Sequence, residues 1–530
     1  MPRVRHSLQE IQNKYDTGED RSQLENLIRA FRGIQELDSK DPNSFFVLGG
    51  YHGEPFRGKG QTDPDWWGGY CNHGNVLFPT WHRAYLLRFE DALRSIPKCE
   101  DVTLPFWDET FARGTPTPIP SILTAPEFDL DGKKYNPLYS YKLQEALVEE
   151  VQGSNERYSK PAGYQTVRYP LSGLVGTEQD REDTEAHNSA YTNQAEQTQI
   201  LNGNVANWLD GTVQITPDPT DPTTRQPDTY SVYSRYRLCL EAPNYTVFSN
   251  NTSATQWIKD QGSADPHYVV SLESPHNAIH LAVGGFYQAG VYNADPIIGA
   301  NGDMGDNETA GFDPVFFLHH CFIDYVFWQW QKEHGATAAG SLTIIPGYSG
   351  TVSVEGLPDI PPGTSLTMGT PLYPFKQANG VWYTSADVTD VEAQLGYSYA
   401  SGSLDPLRGE PFLGAPHTAP ITDFKRTHGI NRADFPGSFV IRTFAQVAGR
   451  DRIEIGRDAV LSRWNVQGCA NCRDKLDVES LVPLDEVLLK AIRGVDKSAK
   501  IEYSAEIQTH HVGGLKGIPF AGPKPIVGDL

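Results

Sequence analysis

Six of the chain's fifteen histidines fall into two groups whose spacing suits metal binding. In Glu273-Ser-Pro-His-Asn-Ala-Ile-His, His276 and His280 stand four residues apart. On a helix that spacing puts both imidazoles on one face about one turn apart, a common way to chelate an ion. His319 and His320 lie side by side in Gly311–Trp330, a run that is otherwise mostly aromatic and aliphatic. A buried polar group costs free energy unless it is partnered, so a carboxylate, a carbonyl or a metal must satisfy at least one of them. Neighbouring helical residues point about 100° apart. One of the pair therefore joins His276 and His280, and the other hydrogen-bonds nearby. His52, His73 and His82 form the second group. Three imidazoles per ion suit copper or zinc, and copper stands at the top of the affinity series. Two matched triads, each anchored in an aromatic segment, argue against scattered loop histidines; His6 and His267 are the competing candidates.

The elements that must hold these residues are legible. Leu24, Leu27, Ile28, Phe31 and Ile34 make one stripe, predicting an amphipathic helix over 22–37. Gly49–Gly74 reads as a loop carrying His52 and His73. A second helix starts at Phe78-Pro-Thr, carries His82 and ends before Pro97. The polar stretch 110–265 reads as an elaboration of extended loops and short helical pieces such as Tyr141–Val151. A short helix opened by Pro275 follows, then a glycine-rich loop and the 311–330 helix. Short strands are expected over 340–400. The Pro- and Gly-rich 401–420 is the expected linker between a core of 1–400 and a β-rich domain of 421–530. Gly437–Ala445 and Ala499–Ile507 alternate as half-buried strands do.

Composition narrows the function. The chain has 530 residues, 38% hydrophobic and 21% charged, and a net charge of −22. That length asks for more than one structural unit. The acidic balance argues against nucleic acid and anionic membranes as partners. No stretch is long and apolar enough to span a membrane, and no secretory signal opens the chain, so a cytoplasmic location is expected. A homo-oligomer is left open. Six cysteines do not make a disulfide framework. Cys99, Cys239 and Cys321 read as buried thiols. Cys469-Ala-Asn-Cys472 reads equally as a soft site for copper loading, a disulfide or two structural thiols.

Two segments resemble the copper-A and copper-B signatures of the tyrosinase, catechol oxidase and haemocyanin family. The first is Cys71-Asn-His73 with Phe78, Trp81-His82-Arg83, Tyr85 and Phe89-Glu90. The second is Glu273, His276-Asn277 and His280, continued by Asp313-Pro314, Phe316, His319-His320, Asp324 and Trp330. The resemblance implies a mainly α fold, an antiparallel four-helix bundle holding a dicopper centre, with long loops and a β-rich C-terminal domain. In the family's pattern the second histidine of the pair is the ligand. The assignment is then His52, His73 and His82 to copper A, and His276, His280 and His320 to copper B.

The resemblance further implies two copper ions, O2 as co-substrate and small phenols as substrates, with monophenols hydroxylated and catechols oxidised to o-quinones. It implies a Cys71–His73 thioether, and Glu273 with Asn277 orienting a water that takes the phenol proton. Phe316, Leu281 and Asn307 fall on the substrate side. Many relatives carry a small apolar residue thirteen positions before the ligand; here it is Asn307, which leaves the balance of monophenol and catechol oxidation open. Tyr397-Ser-Tyr399 resembles the motif that closes the core, with Arg3 or Arg5 as partner to its rings. Latent members cover the site with their C-terminal domain, and Ala459–Val466 is the candidate plug. A reversible O2 carrier is the second reading; Glu273 and Asn277 favour the oxidase.

Overall fold

The computed structural model describes residues 2–53, 68–149, 158–210, 231–262, 267–285, 301–355, 357, 359–405, 421–435, 437–463, 466, 470–509 and 523–530. The helices before the strand-rich region are α1 (Leu8–Thr17), α2 (Ser22–Glu36), α3 (Phe45–Gly50), α4 (Phe78–Arg94), α5 (Glu178–Asn188), α6 (Gln194–Asp210), α7 (Val232–Leu240), α8 (Tyr245–Ser249), α9 (Asn251–Gln261), α10 (Glu273–Gly284) and α11 (Val315–Glu333). The apolar stripe of α2 is buried as expected. This helix packs on α4, α4 on α11, and α11 on α10. Every residue of α10 is buried, and all of α11 but its last two, so neither has a solvent face. A helix apolar all round belongs inside a domain.

Two expectations for the middle of the chain need correction. Residues 141–149 form no helix; they run extended and bridge Lys142 to Gln165 and Leu147 to Lys160. The Tyr141 carbonyl, which a helix would offer to the amide of residue 145, accepts instead from the Thr166 amide at 2.9 Å. The stretch 110–265 is also more than an elaboration, because α6 and α7 pack directly on α10.

The core is tied by its ends. Strand β1 (Arg3–Arg5) pairs in parallel with β6 (Tyr397–Tyr399), in the register Arg3 to Tyr397 and Arg5 to Tyr399. Between them in sequence lie two small hairpins, β2 (Glu127–Leu130) with β3 (Lys133–Tyr135) and β4 (Pro371–Lys376) with β5 (Trp382–Thr384). Arg5 lies over the Tyr397 ring at 3.7 Å. Its Nε donates to Glu90 at 2.8 Å. Asp324 accepts from the hydroxyls of Tyr397 and Tyr399, each at 2.6 Å, and from Arg83 Nε at 2.5 Å. Burial alone would raise the Asp324 pKa, but Arg83 and Arg5 outweigh it and hold the carboxyl below its usual range.

From Ile421 the chain is strand-rich. One three-stranded sheet has the order β10 (Asp477–Asp485), β7 (Ile421–Asn431), β12 (Ile526–Asp529). The other has the order β11 (Ile501–Thr509), β8 (Phe439–Val447), β9 (Ile453–Val460). Helices α12 (Ala470–Arg473) and α13 (Glu486–Arg493) complete the region. The two alternating segments expected as strands fall on β8 and β11. The expected linker lies mostly outside the described residues.

Glu454 on β9 accepts from Arg442 at 2.6 Å and from Arg457 at 2.8 Å. Burial would raise its pKa, yet the two guanidiniums hold it at about 2, against an ordinary 4.5. A depressed folded-state value means the stabilisation is complete above the ordinary value and fades as pH falls through the folded one. The strand-rich region is expected to lose up to about 3 kcal/mol between roughly pH 4.5 and 2. Glu454→Gln should flatten that part of an acid-unfolding curve followed by fluorescence. An unchanged acid limb in the variant would remove Glu454 as its source.

Candidate metal centre

Helix packing brings the two histidine groups face to face. His276 and His280 leave α10 on one face, and His320 leaves α11 toward them. The Nε2 atoms of these three rings form a triangle with sides of 3.1, 3.2 and 3.2 Å. His280 Nδ1 is 2.9 Å from the Met304 carbonyl, and His276 Nδ1 is 2.9 Å from Asn277 Oδ1. A nitrogen that donates to a carbonyl carries the ring proton, so the Nε2 atoms of His276 and His280 present lone pairs into the triangle. Lone pairs at this distance repel, and a cation between them turns repulsion into coordination. The spacing suits nitrogens bound to one ion at about 2.0 Å.

The other three histidines face this triangle. His82 stands on α4, its Nδ1 2.8 Å from the Phe78 carbonyl. His52 follows α3, its Nδ1 3.0 Å from the Asn307 carbonyl. His73 precedes α4 on the loop. The Nε2 atoms of His52, His73 and His82 are buried and lack a hydrogen-bond partner. Their ring centroids are 5.5 to 5.8 Å apart. Across the gap, His82 stacks on His320 at 4.6 Å, and His73 lies 5.5 Å from His276. Burial pushes all six imidazoles down, His52 to about 3 and the others well below the ordinary histidine value. All six are therefore neutral near pH 7, as metal ligands must be.

The surroundings explain the local sequence. Gly49 and Gly311 let the His52 loop meet the entry to α11; a Cβ on Gly49 would sit 2.7 Å from the Gly311 carbonyl oxygen. Arg168 grips Asp313 at the start of α11 with two hydrogen bonds of 2.6 and 2.7 Å. The Arg83–Asp324 pair joins α4 to α11 behind the histidines. It sits one residue from His82 and one turn from His320, so it fixes how the two triads face each other.

The neighbour of His320 has a partner that sequence reading missed. His319 Nδ1 is 2.5 Å from Glu109 Oε1, and Tyr236 donates to the other oxygen of that carboxyl. His319 also lies within the four-histidine cluster with His276, His280 and His320. Its ring is tied to Glu109, however, whereas His320 closes the Nε2 triangle. The signal available was an acidic residue beside the aromatic run Pro105-Phe-Trp-Asp-Glu109, with no spacing to link it to His319.

The remaining expected residues are placed as follows. Phe316 is fully buried, stacked on His320 at 3.9 Å and edge-on to His52 at 4.8 Å. Leu281 is buried in α10 beside His280. Asn307 lends its carbonyl to His52, and its amide reaches Cys71 Sγ at 3.5 Å. Cys71 is buried and not in a disulfide, and its sulfur lies within 4.8 Å of ligand atoms of His52 and His73. Glu273 accepts the amide N–H of Gly74 at 2.8 Å and of Asn251 at 2.9 Å. Burial raises its pKa, and these two bonds offset the rise in part. Cys99, Cys239 and Cys321 are buried free thiols. Cys472 is disulfide-bonded, while Cys469 lies outside the described residues. His6 bonds Glu10 and His267 lies against Trp257, and neither belongs to a metal-holding cluster among the described residues.

His73, Glu273 and Asn277 open onto a cavity of about 360 Å³ whose far wall comes from the strand-rich region, including Arg432, Leu461 and Lys475. Within the expected plug, Ala459 and Val460 end β9, and Trp464 and Asn465 lie outside the described residues. The adjacent Arg463 is fully buried, in ion-pair contact with Glu308 and 3.4 Å from Glu149.

Comparison with known proteins agrees with this site. The common central domain of tyrosinase matches residues 42–333. The chain is 49% identical to tyrosinase HcTyr2 of Hahella sp. (strain CCB-MM4), over 95% of this chain and 91% of that one. It is 44% identical to a tyrosinase of Aspergillus oryzae, over 88% and 87% of the two chains. It is also similar to the solved tyrosinase from Burkholderia thailandensis at low pH, with a TM-score of 0.79 and 46% identity over 95% of each chain. With both triads, the carbonyl-anchored rings of His52, His82, His276 and His280, and these likenesses in place, the chain belongs to the tyrosinase family.

Proposed function

We propose that this copper-dependent phenol oxidase hydroxylates monophenols at the ortho position and oxidises catechols to o-quinones. His52, His73 and His82 would hold one copper, and His276, His280 and His320 the other. The observation that carries this reading is the Nε2 triangle: a proton on His320 could satisfy at most one of its edges, the His276 and His280 lone pairs still face each other, and the spacing suits an ion. Bound there, the copper pair supplies the activation of O2. The chain supplies geometry and proton handling. Carbonyl acceptors on Nδ1 fix the tautomer and swing of His52, His82 and His280, which keeps their donor atoms aimed before any ion arrives.

Glu273 keeps acceptor capacity beyond its two backbone bonds, and burial brings its pKa closer to the working range of a general base. With Asn277 beside it, it is suited to orient a water that takes the phenol proton. Cys71 would bond to His73 as a thioether, its S–H and a ring C–H giving two electrons and two protons to O2, which leaves as hydrogen peroxide, and the bond would fix that ring on its loop. The strand-rich region covers the cavity and would act as a lid, making the full chain latent.

The test is an assay of the full chain with a monophenol and a catechol, before and after limited proteolysis or acid treatment. Quinone formation that rises on activation is expected. Reversible O2 binding without quinone under every treatment would select the carrier reading instead.

A further inference from the structure

The cavity against His73 contains a buried cation that feels the charges of Glu273 and Glu308 from a distance but makes no ion pair among the described residues. Arg432, from the turn after β7, is 92% buried, at 8% relative exposure. Its Nε donates to Ser462 Oγ and one terminal nitrogen to the Lys475 carbonyl, both at 3.3 Å. Both acceptors are neutral and both bonds are long. Among the described residues no carboxylate lies within ion-pair distance of it. Arg5, Arg83, Arg168, Arg442 and Arg463 are as deeply buried, and each meets a carboxylate. Arg32 is also buried without a carboxylate, but four backbone carbonyls receive its donors. Arg432 has only two long bonds to neutral acceptors, and burying a guanidinium with so few partners is costly.

The other charges on that wall are engaged. Arg235 pairs with Asp458 at 2.6 Å, and Lys259 with Glu479 at 3.2 Å. Lys475 donates to the Val352 carbonyl at 2.8 Å. Both oxygens of Glu273 already accept backbone N–H groups. Arg432 has donors to spare among the described residues, because a guanidinium carries five and two are engaged. The same wall offers apolar surface from Ile441, Val460, Leu461 and Leu481. A planar fork of donors beside apolar surface is complementary to an arene bearing a carboxylate.

We propose that Arg432 is the carboxylate receptor of a binding site for aromatic acids, formed between the strand-rich region and the metal centre. The anion takes the remaining N–H groups of the two terminal guanidinium nitrogens, and the ring lies on the apolar wall toward His73. The covering region then selects among phenols: those with a carboxylate are favoured over those with an amine. This selectivity rests on the oxidase reading, but the binding itself does not.

The probe is benzoate, with benzamide as its neutral counterpart, titrated calorimetrically into the full-length copper-loaded chain. Benzoate should bind about tenfold or more tightly than benzamide, as expected for hydrogen bonds to a charged partner. Arg432→Gln should erase that difference, and Arg432→Lys should restore part of it. Equal benzoate binding by the original chain and the Gln variant overturns the proposal, and so does benzoate binding no tighter than benzamide in the original chain. The second comparison needs no variant, so it decides even if Arg432→Gln does not fold. Failure of the chain to oxidise any catechol would sink the oxidase reading and leave the calorimetry standing.

Discussion

His320→Ala is expected to lower bound copper from two ions to one per chain and to cut catechol oxidation about a thousandfold or more, because it would leave incomplete the copper pair that would supply O2 activation. His319→Ala, one residue away, is expected to keep both ions. The reason is the division of labour inside α11. His320 contributes the third corner of the Nε2 triangle, while the ring of His319 is tied through Nδ1 to Glu109. Removing His319 leaves a buried carboxyl with only Tyr236 as partner, at a cost of about 1–3 kcal/mol. The variant should therefore melt earlier yet load copper normally. Metal analysis of the two purified variants separates the roles. Loss of one copper from His319→Ala, with two retained in His320→Ala, would reverse the assignment.

Arg463→Met is expected to loosen the strand-rich region from the core. Arg463 crosses between them and meets two buried carboxylates, Glu308 and Glu149. Breaking a buried pair by removing one partner typically costs about 3–5 kcal/mol, since the other charge is left without compensation. Burial pushes Glu308 well up in pKa, with Arg463 holding it down. Without Arg463, Glu308 would take up a proton and no longer attract the region above it. The full-length variant should thus oxidise catechol without prior proteolysis or acid, at a rate near that of the activated chain. A variant that stays as latent as the original would show that the lid is held elsewhere.

How far the sequence could be read depended on whether a signal was local. The stripe of α2, the Pro79 start of α4 and the alternation of β8 and β11 follow from residues close in the chain, and they appear where expected. His276 and His280 were readable for the same reason. His52 carried no spacing of its own, and the structure nonetheless brings it beside His73 and His82. The Glu109–His319 contact spans 210 residues and was invisible, because nothing in either segment specifies the other. Residues 141–149 misled for a different reason. Their composition suits a helix, but pairing with 160–166 uses their backbone groups in extended form. Arg432 and Arg463 were equally hidden, since an arginine in a loop reads as surface until the fold buries it.

The parallel pairing of β1 with β6 has a consequence for how the molecule is made. Arg5 and the Tyr399 hydroxyl that it meets are separated by 394 positions. During synthesis the first strand must wait for almost the whole core to emerge before its partner exists. Until then Arg3 and Arg5 can reach Glu90 but not the tyrosine pair, and Asp324 lacks the hydroxyls that complete its shell. Contacts of such long sequence separation form late and slowly. The closure of the N-terminal strand over the helices is therefore expected to be a last step in folding. The metal-binding helices would be assembled but unsealed in the stage before it, and that interval is when an incoming ion would find the histidines most accessible.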